Sequence, residues 1–191
     1  MHNQLDFHHG PGFDDHGSRV AFLATAAGRH MGLRGREIQR LRFAAFVHDI
    51  GKTKVDPAIL AKQTELADAE LAQVREHPRI AHDHLDGIVH PTINEAVLSH
   101  HERWDGRGYP NGLRATAIPL HARIIFVADA FDVMTSGRDY RAQLTIAEAG
   151  AELTRSAGRQ FDPEIVDTFA SLRRDALGHF DENSTRPGLL H

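Results

Sequence analysis

Phe43-Ala44-Ala45-Phe46-Val47 is an apolar run that leads directly into His48-Asp49-Ile50-Gly51-Lys52. A histidine and a carboxylate at the end of such a run are both metal-ligand types placed where burial is expected. A buried charge needs a partner or a metal. Asp49 has two oxygens and can bridge two cations, whereas a neutral imidazole such as His48 offers one nitrogen. Alone, the pair also fits a helix end with a capping histidine and a solvated aspartate. Four other places in the chain supply matching groups. His16 lies four residues before Val20, on the line Val20, Leu23, Ala27 and Met31 of a helix expected from about Asp14 to His30. His77 follows Leu71 and Val74 at helical spacing, and Pro78 is expected to kink that helix. His100 and His101 end the stripe Ile93, Ala96, Val97, and Asp129 shares a face with Ala122, Ile125 and Val133. Seven side chains thus face inward: His16, His48, Asp49, His77, His100, His101 and Asp129. Five imidazoles and two carboxylates suit two transition-metal ions better than magnesium or calcium, which prefer all-oxygen shells. Two such ions can activate water and clamp a phosphoryl group.

The elements that must position these residues read as helices throughout. A second helix is expected from about Gly35 to His48, with Ile38, Leu41 and Ala45 on the face of His48. Asp68 is the expected N-cap of the helix leading to His77. Thr92 with Glu95 and Thr145 with Glu148 have the spacing of capping boxes, and Asp162-Pro163 starts the last helix. Pro119 opens the helix of Asp129. Between His101 and Pro119 lies a glycine-rich loop that holds the only tryptophan, Trp104, and one of two tyrosines, Tyr109. His82 and His84 have polar neighbours and are expected to be exposed, as are His2, His8 and His9. No segment of length has the period of a strand, so the fold class is all-α.

Composition bounds the rest. The 191 residues are long enough for one domain with a real core. The expected division is an irregular segment over 1–13, the domain over 14–175 and a loose tail over 176–191. A net charge of −4 gives no basic field for a nucleic-acid polymer. The absence of cysteine excludes disulfides, thiolate metal sites and a cysteine nucleophile. No apolar run is long enough to cross a bilayer and no secretory pattern opens the chain, so a cytoplasmic location without membrane contact is expected. Fifteen histidines, almost as many as the 16 glycines, mark imidazole chemistry as the chain's compositional outlier.

The order of these motifs resembles the HD-GYP family, a branch of the HD-domain metal-dependent phosphohydrolases. The resemblance runs over residues 14 to 172. It rests on His16, His48-Asp49-Ile50-Gly51-Lys52, His77-Pro78, His100-His101-Glu102-Arg103-Trp104-Asp105-Gly106, Gly108-Tyr109-Pro110, Ile118-Pro119-Leu120, Ala128-Asp129 and Arg138 to Arg141. It implies a bundle of about seven helices and hydrolysis of cyclic di-GMP to pGpG, in some members on to GMP. By position, one iron or manganese ion would take His16, His48, Asp49 and Asp129. The other would take Asp49 as bridge with His77, His100 and His101, and a hydroxide shared by the two ions would attack phosphorus. Lys52 would act with Asp49 in catalysis, as charge stabiliser or as proton donor to the leaving 3′-oxygen. Arg138 and Arg141 would clamp a phosphate or base. Gly108, Tyr109 and Pro110, with an aromatic expected to be exposed, would dock a partner such as a cyclase-domain protein, and oligomers are compatible with this.

Three departures qualify the resemblance. Gly12 stands where some members carry a third-metal glutamate, so two ions are expected and the step to GMP is left open. Arg107 replaces a small residue, and Asp139 stands where proline is usual, beside the proposed clamp. A different cyclic dinucleotide or a mononucleotide as substrate, or a docking module with little activity, are the alternative readings.

Overall fold

The computed structural model describes residues 13–136 and 143–172. Among these, nine α-helices follow one another: α1 (Phe13–His30), α2 (Gly35–Val47), α3 (Pro57–Leu60), α4 (Asp68–Arg75), α5 (His77–Leu85), α6 (Pro91–Ser99), α7 (Leu120–Ser136), α8 (Ile146–Ser156) and α9 (Pro163–Ser171). Single 3-10 turns lie at Ile50–Lys54 and Ala115–Ala117. The described residues contain no strand, and the all-α expectation holds. Nine rather than about seven results from counting the four-residue α3 and from a break at Glu76, where α4 stops and α5 starts afresh with Pro78 in its first turn. No described helix is long and apolar enough to cross a membrane.

Helix α7 is the centre of the bundle. Nearly every residue from His121 to Asp132 is buried, because the helix is enclosed by α1, α2, α6, α8 and α9. A helix wrapped on all sides must be apolar all round, and Ile124, Ile125, Phe126, Val127, Ala128 and Phe131 meet that demand. Helices α1 and α2 form an antiparallel pair across Leu33-Arg34. Gly28 makes their approach possible: a Cβ there would lie 2.6 Å from Leu41 and 2.9 Å from Ile38. The core joins Val20, Leu23, Ala24 and Ala27 of α1 to Leu41, Ala44 and Ala45 of α2 and to the buried faces of α6 to α9. A smaller cluster of Val55, Ile59 and Val74 packs α3 against α4.

Two caps differ from expectation. His90, not Thr92, is the N-cap of α6, and its ring nitrogen accepts from Thr92 N at 3.2 Å. Pro91 fixes the first helical position and so moves the start forward. Ala67 caps α4, with Asp68 as the first helical residue, and the Glu70 carboxylate accepts from Ala67 N at 2.7 Å. The caps at Thr145–Glu148 and at Asp162 stand as expected.

Candidate metal centre

The site lies where helix ends meet the buried flank of α7. His48 is the C-terminal cap of α2, His77 opens α5 with only Glu76 between it and the end of α4, and His100 is the C-terminal cap of α6. A helix end leaves carbonyls without intrahelical partners. Each of these histidines uses one. His48 Nδ1 donates to Ala45 O at 2.7 Å, His77 Nδ1 to Val74 O at 2.7 Å, and His100 Nδ1 to Val97 O at 2.6 Å. A carbonyl only accepts, so the proton is on Nδ1 and the lone pair is on Nε2. The same local geometry, three residues back in each case, aims three Nε2 atoms inward. Orientation of a ligand imidazole through its far nitrogen is the usual arrangement at metal sites.

These Nε2 atoms gather around one carboxylate. Asp49 Oδ1 lies 3.3 Å from His77 Nε2 and 3.9 Å from His100 Nε2. Asp49 Oδ2 lies 3.5 Å from His48 Nε2 and 3.8 Å from His16 Nε2. Asp129 Oδ1 closes the second group, 3.3 Å from His16 Nε2 and 4.0 Å from His48 Nε2. His101 joins the first: the donor atoms of Asp49, His77, His100 and His101 all lie within 4.8 Å of one another. All seven residues singled out from the sequence therefore come together, and they divide into two sets that share Asp49.

The electrostatics fit cations. Burial, the largest effect, holds the pKa values of His48, His100 and His101 below the ordinary value, and for the last two the neighbouring imidazoles add to it. These rings are neutral, with lone pairs available as ligands. His48 Nε2 is buried and has no hydrogen-bond partner, which costs about 1–3 kcal/mol unless something binds there. His16 differs. Burial lowers its pKa, but the carboxylates of Asp129, Asp132 and Asp49 outweigh burial and raise it to about 9. Burial raises the pKa of Asp129, and its contact with His16 outweighs this and lowers it. A proton on His16 thus holds the place that a metal ion would take. A donor set of imidazole and carboxylate without sulfur fits borderline divalent transition ions.

Two further residues act on His16 and were missed in the sequence as site residues. Its Nδ1 bonds Asp132 Oδ2 at 2.7 Å, and Asp132 is gripped by Arg19 through Nε at 2.5 Å and Nη2 at 3.0 Å. His16 lies in the first turn of α1, and a helix N-terminus leaves N–H groups rather than carbonyls without partners, so a carboxylate from α7 does that work. The available signal was the spacing Asp129 to Asp132, one helical turn that places both on the side facing α1. Glu102 is the third omission. It is fully buried, and its two oxygens accept from Asn111 N at 2.6 Å and Leu113 N at 2.9 Å. It pins the glycine-rich loop directly beneath His101. Gly108 is obligatory there, because a Cβ would meet Arg103 N at 2.3 Å and His101 O at 2.5 Å.

The structure corrects two expectations. Tyr109 is half-buried rather than an exposed docking aromatic: its ring stacks on His101 with centroids 4.8 Å apart, and its hydroxyl is buried. The close passage of Gly108 under His101 forces this. Lys52 does not extend from the site. It is buried, and Nζ lies 2.6 Å from Asp49 Oδ2, because the 3-10 turn at Ile50–Lys54 brings its stem back over Asp49. His82 is half-buried and His84 is exposed. Gly12, Arg107's counterpart Asp139, and the clamp residues Arg138 and Arg141 divide: Arg107 is exposed, and the other four lie outside the described residues.

The HD domain family matches residues 3–165. The cyclic di-GMP phosphodiesterase response regulator RpfG of Xanthomonas campestris is 38% identical over 177 residues, 90% of this chain and 47% of that protein. A cyclic di-GMP phosphodiesterase of Thermotoga maritima is 36% identical over 180 residues, 91% of this chain and 49% of that protein. The chain thus spans about half the length of these relatives. The fold is that of a cyclic GMP-AMP specific phosphodiesterase of Vibrio cholerae, with a TM-score of 0.67 at 19% identity over 90% of this chain and 48% of that one. The chain belongs to the HD domain family.

Proposed function

We propose that the protein is a metal-dependent phosphodiesterase that hydrolyses cyclic di-GMP to pGpG. The observation that carries this reading is Asp49, which presents one oxygen to His16 and His48 and the other to His77 and His100. That arrangement suits a pair of divalent ions. His16, His48, Asp49 and Asp129 would hold one, and Asp49, His77, His100 and His101 the other. We take the ions to be iron or manganese, as the resemblance to the HD-GYP family implies; the imidazole-rich, sulfur-free donor set fits divalent transition ions. The pair would supply Lewis acidity, lowering the pKa of water and taking up charge on the phosphoryl oxygens. The substrate class follows from the two relatives whose names state cyclic di-GMP phosphodiesterase activity, each above 35% identity.

The chain's own residues have definable tasks. The carbonyls of Ala45, Val74 and Val97 and the carboxylate of Asp132 keep four imidazoles in one tautomer and one orientation. This keeps the reorganisation needed on binding small. Lys52 neutralises Asp49 in the metal-free protein. With a divalent ion held by Asp49 the carboxylate would no longer need the ammonium as counter-charge, and Lys52 Nζ would be available to donate to a phosphate oxygen or to the leaving 3′-oxygen. Arg138 and Arg141 remain our candidates for binding the substrate's phosphate, since arginine's fork matches it.

The test is anaerobic purification, metal analysis and chromatography of the products formed from cyclic di-GMP. Release of pGpG by metal-loaded protein, abolished by chelation, is expected. Metal-loaded protein that leaves cyclic di-GMP intact would overturn the reading.

A further inference from the structure

Beside the metal centre is a pocket of about 470 Å³ between α4, the start of α5 and the Tyr109-Pro110 segment. That volume is within the range of small-molecule sites. Its chemistry is unusual in one respect. Arg75, Arg79, Asp68 and Glu76 all line it, yet among the described residues none of the four is paired with another. Arg79 is partly committed, since Nη2 donates to Pro110 O at 3.0 Å and thereby latches the loop. Arg75 is not: its guanidinium sits 5.6 Å from the centre of the Tyr109 ring and makes no hydrogen bond among the described residues. Leu71, Ala72 and Pro110 provide apolar wall between the charges.

Two cations and two anions held apart in one pocket present donors and acceptors together. A lone phosphate would use only the donors, and a simple cation only the acceptors. A guanine edge uses both. Its O6 and N7 accept the two-pronged guanidinium, the commonest specific contact to guanine. Its N1–H and N2–H₂ donate to carboxylates. Adenine has an amino group where guanine has O6, and so turns a donor toward the arginine. The position suits a base: Tyr109 is the wall shared with the metal centre, through its stack on His101.

We infer that this pocket is a guanine-selecting subsite, with Arg75 as the residue that reads the base and Asp68 or Glu76 as acceptor for its N1–H and N2–H₂. The inference rests on the reading of the protein as a cyclic-dinucleotide phosphodiesterase, and names the determinant of its base preference.

Binding of GMP and AMP to metal-loaded protein, measured by calorimetry, tests the subsite without turnover. The kcat/KM ratio for cyclic di-GMP over cyclic di-AMP tests it in catalysis. Wild type should bind GMP more tightly than AMP. Arg75→Ala should reduce that preference by roughly ten- to a hundredfold, and Arg75→Lys, which lacks the fork, should restore little of it. The turnover ratio should fall in parallel. Arg75 is exposed, so the variants should fold as wild type does. Equal affinity of wild type for the two nucleotides, or a preference that persists in Arg75→Ala, would overturn the inference. A clear GMP preference in a protein that hydrolyses no cyclic dinucleotide would instead leave the subsite standing and overturn the activity.

Discussion

Lys52 Nζ lies 2.6 Å from Asp49 Oδ2, with the lysine side chain fully buried, and that oxygen is the one that faces His16 and His48. The ammonium is therefore a counter-charge to the carboxylate on which both candidate ligand sets depend. Removing one partner of a buried pair costs about 3–5 kcal/mol. Lys52→Ala should lower the melting temperature of metal-free protein markedly, and metal should recover most of the loss by supplying the missing charge. A role in the chemistry adds a drop in kcat of about two to four orders of magnitude in the loaded enzyme. Thermal scans with and without metal, set beside steady-state rates, separate the two effects. An unchanged metal-free melting temperature would refute the pairing role.

Asp49 is shared, and His101 belongs to one set only. Asp49→Ala should therefore lose both ions, whereas His101→Ala should retain about one of two per chain. Metal analysis of anaerobically purified variants reads this directly. Equal losses would show that the two sets are not separate sites.

Asp132 reaches His16 through Nδ1 and is itself held by Arg19. Loss of a carboxylate that orients a ligand imidazole weakens metal affinity by about ten- to a hundredfold. Asp132→Ala should do this for one ion while the other stays bound. Asp132→Asn, which can still accept from Nδ1–H, should recover part of the loss. Competitive titration with a chelating dye measures it, and uniform weakening of both ions would assign Asp132 a general structural role.

Stability of the metal-free protein should fall as the pH drops below about 6.5. His48, His100 and His101 have folded-state pKa values below the unfolded value, because burial disfavours their charge. The unfolded chain then binds more protons in acid, and stability is lost as pH falls from the unfolded pKa toward the folded ones. Asp129, also lowered, acts in the same direction at lower pH. His16 opposes this: raised to about 9, it contributes stability that is fully present below 6.5 and lost as pH rises through 9. Below 6.5 His16 is protonated in both states and adds no slope, so the net trend in acid is downward. Denaturant midpoints from pH 5 to 7 test the sign.

The sequence alone determined the helices and the identity of all seven clustered residues. The physical reason is local: an apolar stripe of period 3.6 fixes which way a side chain faces, so a histidine or aspartate on that stripe must be buried. Val20 with His16, and Ile125 with Asp129, are such cases. The Asp162 and Thr145 caps were legible for the same reason, since capping depends on three or four consecutive residues. Tertiary structure alone decided what these side chains meet. Which oxygen of Asp49 faces which imidazole depends on how α1, α2 and α6 pack on α7 and how α5 packs on α6. The grip of Asp132 on His16 crosses 116 positions of sequence. Tyr109 looked exposed between glycine and proline, yet the loop's passage under His101, pinned by Glu102, turns its ring inward. Lys52 looked free to reach a substrate, yet a 3-10 turn folds it onto Asp49. Periodicity reports the side of an element, whereas these contacts depend on the angle and distance between elements, which packing sets.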